Sequence, residues 1–142
     1  MEVTKQFRAE IAHRLPNHPG ACRYIHGHSY LFEVTVQGKQ DHVSGMVVDF
    51  SYLKDDIKDC IGHWDHSLLL VKGDDDFLID HLQNLKQVNL NVVNFIPTAE
   101  NMAEHIAEYM CIKCEYDVTR VRVWETTTSY ADWTPEVVNV AD

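Results

Sequence analysis

The stretch Cys22-Arg23-Tyr24-Ile25-His26-Gly27-His28-Ser29-Tyr30 holds the residue types that could do chemistry. Histidines two positions apart project from the same face of an extended chain, because side chains alternate across a strand, so one metal ion could take both. The continuation Tyr30, Phe32, Val34 and Val36 keeps the same parity, which sets His26 and His28 at the mouth of an apolar, core-facing row. His13 ends an earlier row, Phe7, Ala9 and Ile11, again in phase with the apolar face. If the two segments pair as antiparallel neighbours the three imidazoles converge, and three neutral imidazoles with an open fourth position is how catalytic zinc is held. Cys22, four residues before His26, then falls near the metal without having to be a ligand. Taken singly these signals are weak, since His-x-His is often incidental and a buried cysteine is often a small apolar filler. Their combination is what points to a metal centre.

Two long strands are needed to carry these residues. Residues 3 to 13 alternate as a strand should, Pro16-Asn17-His18-Pro19-Gly20 has turn chemistry, and a second strand runs from about 28 to 37. Gly38-Lys39-Gln40-Asp41 turns the chain into a short apolar strand, Met46 to Phe50. Leu53, Ile57, Cys60 and Ile61 mark one face of a helix, with Ser51 as its N-cap and Gly62 past its end. Asp65-His66 follows in a loop, an acidic residue directly before a histidine, and loops on a rigid scaffold often carry function. Phe77, Leu78, His81, Leu82 and Leu85 fit a short amphipathic helix, with His81 and His105 expected as exposed bystanders. Val88, Leu90 and Val92 alternate as a strand. Thr98 is placed to N-cap a long helix whose buried stripe is Ala99, Met102, Ala103, Ile106 and Met110. Cys111 and Cys114 have the spacing of half a zinc site, but no second cysteine pair completes it. The last strand runs from Val118 to Thr126, where Glu125 shares the parity of Val121 and Val123. A carboxylate on that apolar face is costly unless something binds it, so the parity favours a ligand contact. The expected class is α+β, an antiparallel sheet with helices on one face and a polar tail.

With 142 residues, 45% of them hydrophobic and 24% charged, the chain has the composition of one soluble globular domain, 1–142. The first residues show no basic segment followed by an apolar run and no stretch approaches membrane-spanning length, so a cytoplasmic protein with four reduced cysteines and no membrane partner is expected. A formal net charge of −10 argues against a nucleic-acid partner, although Arg8, Arg14 and Arg23 could make a local basic spot for a small anion.

Six segments taken in order carry a resemblance. They are Phe7-Arg8-Ala9-Glu10-Ile11-Ala12-His13, the Cys22-x3-His26-Gly27-His28 block, Gly45-Met46-Val47-Val48-Asp49-Phe50, Trp64-Asp65-His66, Pro97-Thr98-Ala99-Glu100-Asn101 and Val123-Trp124-Glu125-Thr126. Together they resemble the 6-pyruvoyl-tetrahydropterin synthase family, and within it the carboxy-forming bacterial branch of the queuosine pathway. The resemblance implies a tunnelling fold, in which sheets from several subunits close into an oligomeric barrel and a trimer or hexamer forms its active sites between subunits. It also implies Zn2+ on His13, His26 and His28, Cys22 as general base, and Asp65 with His66 as a relay supplied by a neighbouring subunit. Glu125 would anchor the pterin ring or join the relay, and Thr98 would contact the pterin. The implied reaction turns 7,8-dihydroneopterin triphosphate into 6-carboxy-5,6,7,8-tetrahydropterin with loss of acetaldehyde and triphosphate; the alternatives are the pyruvoyl-forming or a related pterin side-chain lyase activity, and, against the intact set of Cys22, Asp65, His66 and Glu125, a non-catalytic zinc- or pterin-binding paralogue. The three-residue gap from Cys22 to His26 resembles the carboxy-forming branch. The segment between His66 and Pro97 is longer than in compact relatives, and Arg23-Tyr24 departs from the pair usual after the cysteine.

Overall fold

A computed structural model describes residues 1–137; the last part of the expected domain, 138–142, lies outside the described residues. Two long strands form the frame, β1 (Glu2–His13) and β2 (His26–Gln37). They pair antiparallel in one unbroken register that runs from Glu2 opposite Gln37 to His13 opposite His26. Beyond β2 come helix α1 (Phe50–Ile61), β3 (Ser67–Val71), helix α2 (Asp76–Leu82), β4 (Leu90–Val93), helix α3 (Ala99–Glu108), a π-turn over Tyr109–Lys113, β5 (Val118–Trp124) and β6 (Tyr130–Trp133). The six strands form one sheet in the order β4-β3-β1-β2-β5-β6.

The sheet is mixed, which corrects the expected antiparallel one. β5 pairs antiparallel with β2 and with β6, but β3 lies parallel to β1 and β4 parallel to β3. The cause is the connections: the crossover through α2 carries the chain from β3 to β4 in the same direction, while the passage through α1 reverses it from β2 and lays β3 on the far side of β1, parallel to that strand.

One face of the sheet is covered. α1 buries Leu53, Ile57, Cys60 and Ile61, and α3 buries Ala99, Met102, Ala103, Ile106 and Ala107. They close on the inward rows Ala9 and Ile11, Tyr30 to Val36, and Val121 and Val123 as one cluster. Each large side chain there contributes about 1.5–3 kcal/mol by leaving water. The other face is polar, with Thr4 bonded to Thr35 at 2.8 Å and Trp124 Nε1 donating to Glu33 at 2.7 Å. No helix among the described residues is long and apolar enough to cross a membrane.

Four local expectations change. Met46 to Phe50 is not a strand: Asp41 accepts the amides of Val43 and Ser44, and Gly45 takes φ +73°, so the segment is spent in turns. The cap of α1 is Asp49 rather than Ser51, its carboxylate accepting both the Ser51 amide at 2.8 Å and the Ser51 hydroxyl at 2.7 Å. His105 is no bystander but is stacked on Trp64, with centroids 5.4 Å apart, and on Phe95 at 5.1 Å. The polar tail contains β6, a short edge strand fixed by Arg122 gripping Asp132 with two bonds of 2.7 Å.

Candidate functional site

The register of β1 and β2 performs the convergence that parity requires. His13 sits opposite His26, His28 is two residues further along the same face, and the ligating atoms of all three lie within 4.8 Å of one another. Among the described residues this is the one group of three or more such side chains arranged to hold a metal ion. Cys111 and Cys114 join no such group.

Backbone carbonyls orient two of the rings. His13 Nδ1 bonds the Pro97 carbonyl at 2.8 Å and His26 Nδ1 bonds that of Tyr24 at 2.7 Å, which leaves the opposite nitrogen of each for a ligand. Such outer partners fix tautomer and ring angle in metal sites. His28 Nε2 is buried with no hydrogen-bond partner, a costly state for a polar atom unless something binds it. Burial is also the main reason the pKa of His13 and of His28 is lowered, with His26 adding repulsion at both. The neutral form is the one that ligates. The site thus fits a small cation that prefers nitrogen donors.

Glu125 lies just past β5, facing His28 with Oε1 3.6 Å from Nε2. Tyr30, buried in the same row as the histidines, places its hydroxyl 3.4 Å from His13 Nδ1. Burial, and then the Glu125 carboxylate, push the Tyr30 phenol well above its ordinary pKa, so it stays a donor. A cavity of about 320 Å³ opens beside this cluster, lined by Cys22, Thr98, Glu125, His18, Glu100 and Tyr130 among others. Cys22 is presented by a single 3-10 turn, Ala21–Arg23, and Thr98 by the start of α3, where its hydroxyl accepts the Asn101 amide at 3.2 Å. One wall therefore offers a thiol, a hydroxyl and a carboxylate next to three imidazoles.

Asp65 and His66 are brought to each other but not to that cavity. His66 Nδ1 is 3.0 Å from Asp65 Oδ2, and both residues are tied to Glu10, whose amide donates to Asp65 at 2.8 Å and whose carbonyl accepts the His66 amide at 2.7 Å. The Glu10 amide is the chief cause holding the Asp65 carboxyl below its usual range. His66 has φ +56°, and its ring is exposed beside a second cavity of about 460 Å³, lined by Glu10, Ala12, Ser29 and Gln87 and also by His28. Within one chain His66 and the thiol thus line different cavities.

Of the three arginines, Arg14 is committed to Asp75, and Arg23 stacks on Tyr24 at 4.6 Å while donating to Pro19 O at 3.1 Å. Arg8 is exposed on the uncovered face beside Trp124 and Thr126. Tyr30 and His18 were not singled out by spacing as site residues. Tyr30 reads as one more core aromatic, although it continues the parity of His26 and His28, and His18 reads as a loop residue between two prolines.

A sequence profile for the family described as 6-pyruvoyl tetrahydropterin synthase matches residues 2–136. A Rickettsia bellii protein named 6-carboxy-5,6,7,8-tetrahydropterin synthase is 30% identical over 137 residues, covering 93% of this chain and 99% of its own. Among solved structures, an uncharacterized protein of Wolinella succinogenes superposes with a TM-score of 0.80 at 20% identity, covering 96% of this chain and 98% of its own. The Caenorhabditis elegans 6-pyruvoyl tetrahydropterin synthase superposes with a TM-score of 0.67 at 20% identity, with 96% of each chain covered. The two structural likenesses speak to the fold, which is the tunnelling fold with its helices on one face.

Proposed function

Because the chain belongs to the 6-pyruvoyl tetrahydropterin synthase family, whose members act as lyases on pterin side chains, we propose that it converts 7,8-dihydroneopterin triphosphate and one water to 6-carboxy-5,6,7,8-tetrahydropterin, acetaldehyde and triphosphate, the step that serves queuosine formation. The observation that carries this is the buried, unpartnered Nε2 of His28 between two other imidazoles, beside a cavity that holds a thiol and a carboxylate. His13, His26 and His28 would hold zinc, which when bound supplies Lewis acidity to the oxygens of the substrate side chain. Cys22 takes a proton from that side chain. Glu125 accepts hydrogen bonds from the planar N–H pair of the pterin, a charge-assisted contact. Thr98, fixed at the start of α3, borders the ring.

Asp65 orients His66 for proton transfer at the opposite face of the substrate. Since neither lines the cavity that holds Cys22, the complete site takes them from another copy of the chain, in a homo-oligomer of trimer or hexamer type within the cytoplasm. The uncovered polar face and the two open sheet edges, β4 and β6, support that assembly.

The test is incubation of zinc-loaded protein with 7,8-dihydroneopterin triphosphate, with the pterin product identified by mass and acetaldehyde measured in parallel. Carboxy-tetrahydropterin with equimolar acetaldehyde is expected. A pyruvoyl product would move the chain to the sister activity, and absence of turnover by the folded zinc form would end the catalytic assignment. Cys22→Ala should keep zinc and lose turnover, and His28→Ala should lose both.

A further inference from the structure

Arg14 stands one residue past His13, where the chain leaves β1 for the loop that carries Cys22. Its guanidinium holds two partners at once. One Nη pairs with Asp75, and Nε donates to the carbonyl of Arg23 at 2.8 Å. The amide of the next residue, Leu15, donates to the carbonyl of Cys22 at 2.8 Å. Two consecutive residues of β1's exit therefore grip two consecutive carbonyls, those of the thiol residue and its neighbour.

Asp75 is only 2% exposed and is itself fixed, Oδ2 accepting the Val71 amide at 2.8 Å and its own amide donating to the Val71 carbonyl at 2.9 Å. It joins the end of β3 to the head of α2, a helix that buries no side chain of its own. A buried charge pair is a weak device for stability, since apolar side chains of similar volume serve as well or better. What apolar side chains cannot do is present a planar, doubly committed fork to a backbone carbonyl.

We propose that Arg14 and Asp75 are positioning residues for Cys22: Asp75 orients the guanidinium, and the guanidinium fixes the carbonyl of Arg23, the residue that follows the thiol. This rests on the assignment of Cys22 as proton acceptor. It also gives a task to the long segment between His66 and Pro97, whose buried Asp75 reaches back to the loop in front of the metal ligands.

The experiment uses zinc-loaded full-length protein and reads two quantities, turnover of 7,8-dihydroneopterin triphosphate and the rate at which iodoacetamide alkylates Cys22, followed by mass spectrometry of its peptide. Arg14→Lys keeps a cation for Asp75 but, with a single nitrogen, does not span both Asp75 and the Arg23 carbonyl as Nη and Nε do. Because a displacement of about 1 Å at a reacting group can cost roughly a hundredfold, kcat should fall at least about tenfold with KM changed less than roughly twofold and the alkylation rate changed by more than roughly threefold. Zinc content should not change. The double variant Arg14→Met with Asp75→Leu replaces the pair by side chains that can pack, should show the same split, and decides the matter if Arg14→Lys fails to fold. An unchanged alkylation rate in a folded variant overturns the proposal whatever happens to turnover. Wild-type kcat also overturns it, unless Cys22→Ala is itself active. In that case the assignment of Cys22 has failed, and the alkylation rate alone decides whether Arg14 sets the thiol.

Discussion

Stripping the metal and restoring zinc is the perturbation that bears most directly on His13, His26 and His28. The ligands come from two strands and meet only because His13 is registered opposite His26, so the unfolded chain does not present them together and the ion binds the native state. A ligand of that kind stabilises by RT ln(1 + [L]/Kd), about 2.7 kcal/mol at a free concentration roughly 100 times Kd. For a domain of about 150 residues, where about 1 kcal/mol shifts Tm by roughly 4 °C, that is a rise of about 10 °C. His28→Ala should abolish the rise, because two imidazoles remain where a closed set needs three. In the metal-free protein the same change should matter much less, since the atom it removes, Nε2 of His28, is buried without a partner. The assay is scanning calorimetry of chelator-treated protein across a zinc titration, for wild type, His28→Ala and Cys111→Ala with Cys114→Ala. The cysteine variant should keep the full rise. A zinc-dependent rise that survives in His28→Ala, or vanishes in the cysteine variant, would refute the assignment of the centre.

Three further outcomes are expected. Thr98→Ala should cost about 1 kcal/mol in urea denaturation by freeing the Asn101 amide, and Thr98→Ser should restore most of it. Ile57→Ala, at a fully buried position of α1, should cost about 2–5 kcal/mol in the same measurement. Burial, opposed by Glu108 and helped by His63, holds the pKa of His105 below its ordinary 6.5, so the unfolded chain takes up that proton first. Stability should therefore be fully present above about pH 6.5 and fall as pH drops toward the depressed folded value. The difference between wild type and His105→Phe in calorimetry across that range isolates this contribution from those of His13 and His28; a constant difference with pH would contradict it.

How much the sequence discloses depends on whether a residue's task is local. The rows of β1 and β2 are written in period-2 alternation, and from them follow the inner face, the convergence of three histidines and the inward turn of Glu125. The Thr98 cap and the stripe of α3 are equally local, and both stand as expected. Ser67-Leu68-Leu69-Leu70-Val71 escapes because it does not alternate: a strand parallel to its neighbours and buried on both faces reads as one apolar run, and every residue of β3 is buried. The parallel pairing of the sheet is lost with it. His105 is misread, and Asp75 passes unread, for a related reason. Their meaning depends on partners far along the chain, Trp64 and Phe95 for one and Arg14 for the other, and spacing carries no trace of either.

β1 serves two places at once. Through its inward side chain His13 it supplies one of three imidazoles arranged to hold a metal ion, and through the backbone of Glu10 it anchors Asp65 and His66 at its edge. The interval between the two anchor points is three residues of extended chain, roughly 10 Å. Insertion or deletion of one residue between Glu10 and His13 would swap faces and dislocate both centres in a single event. This interval of β1 is a ruler that tolerates substitution and forbids a change of length.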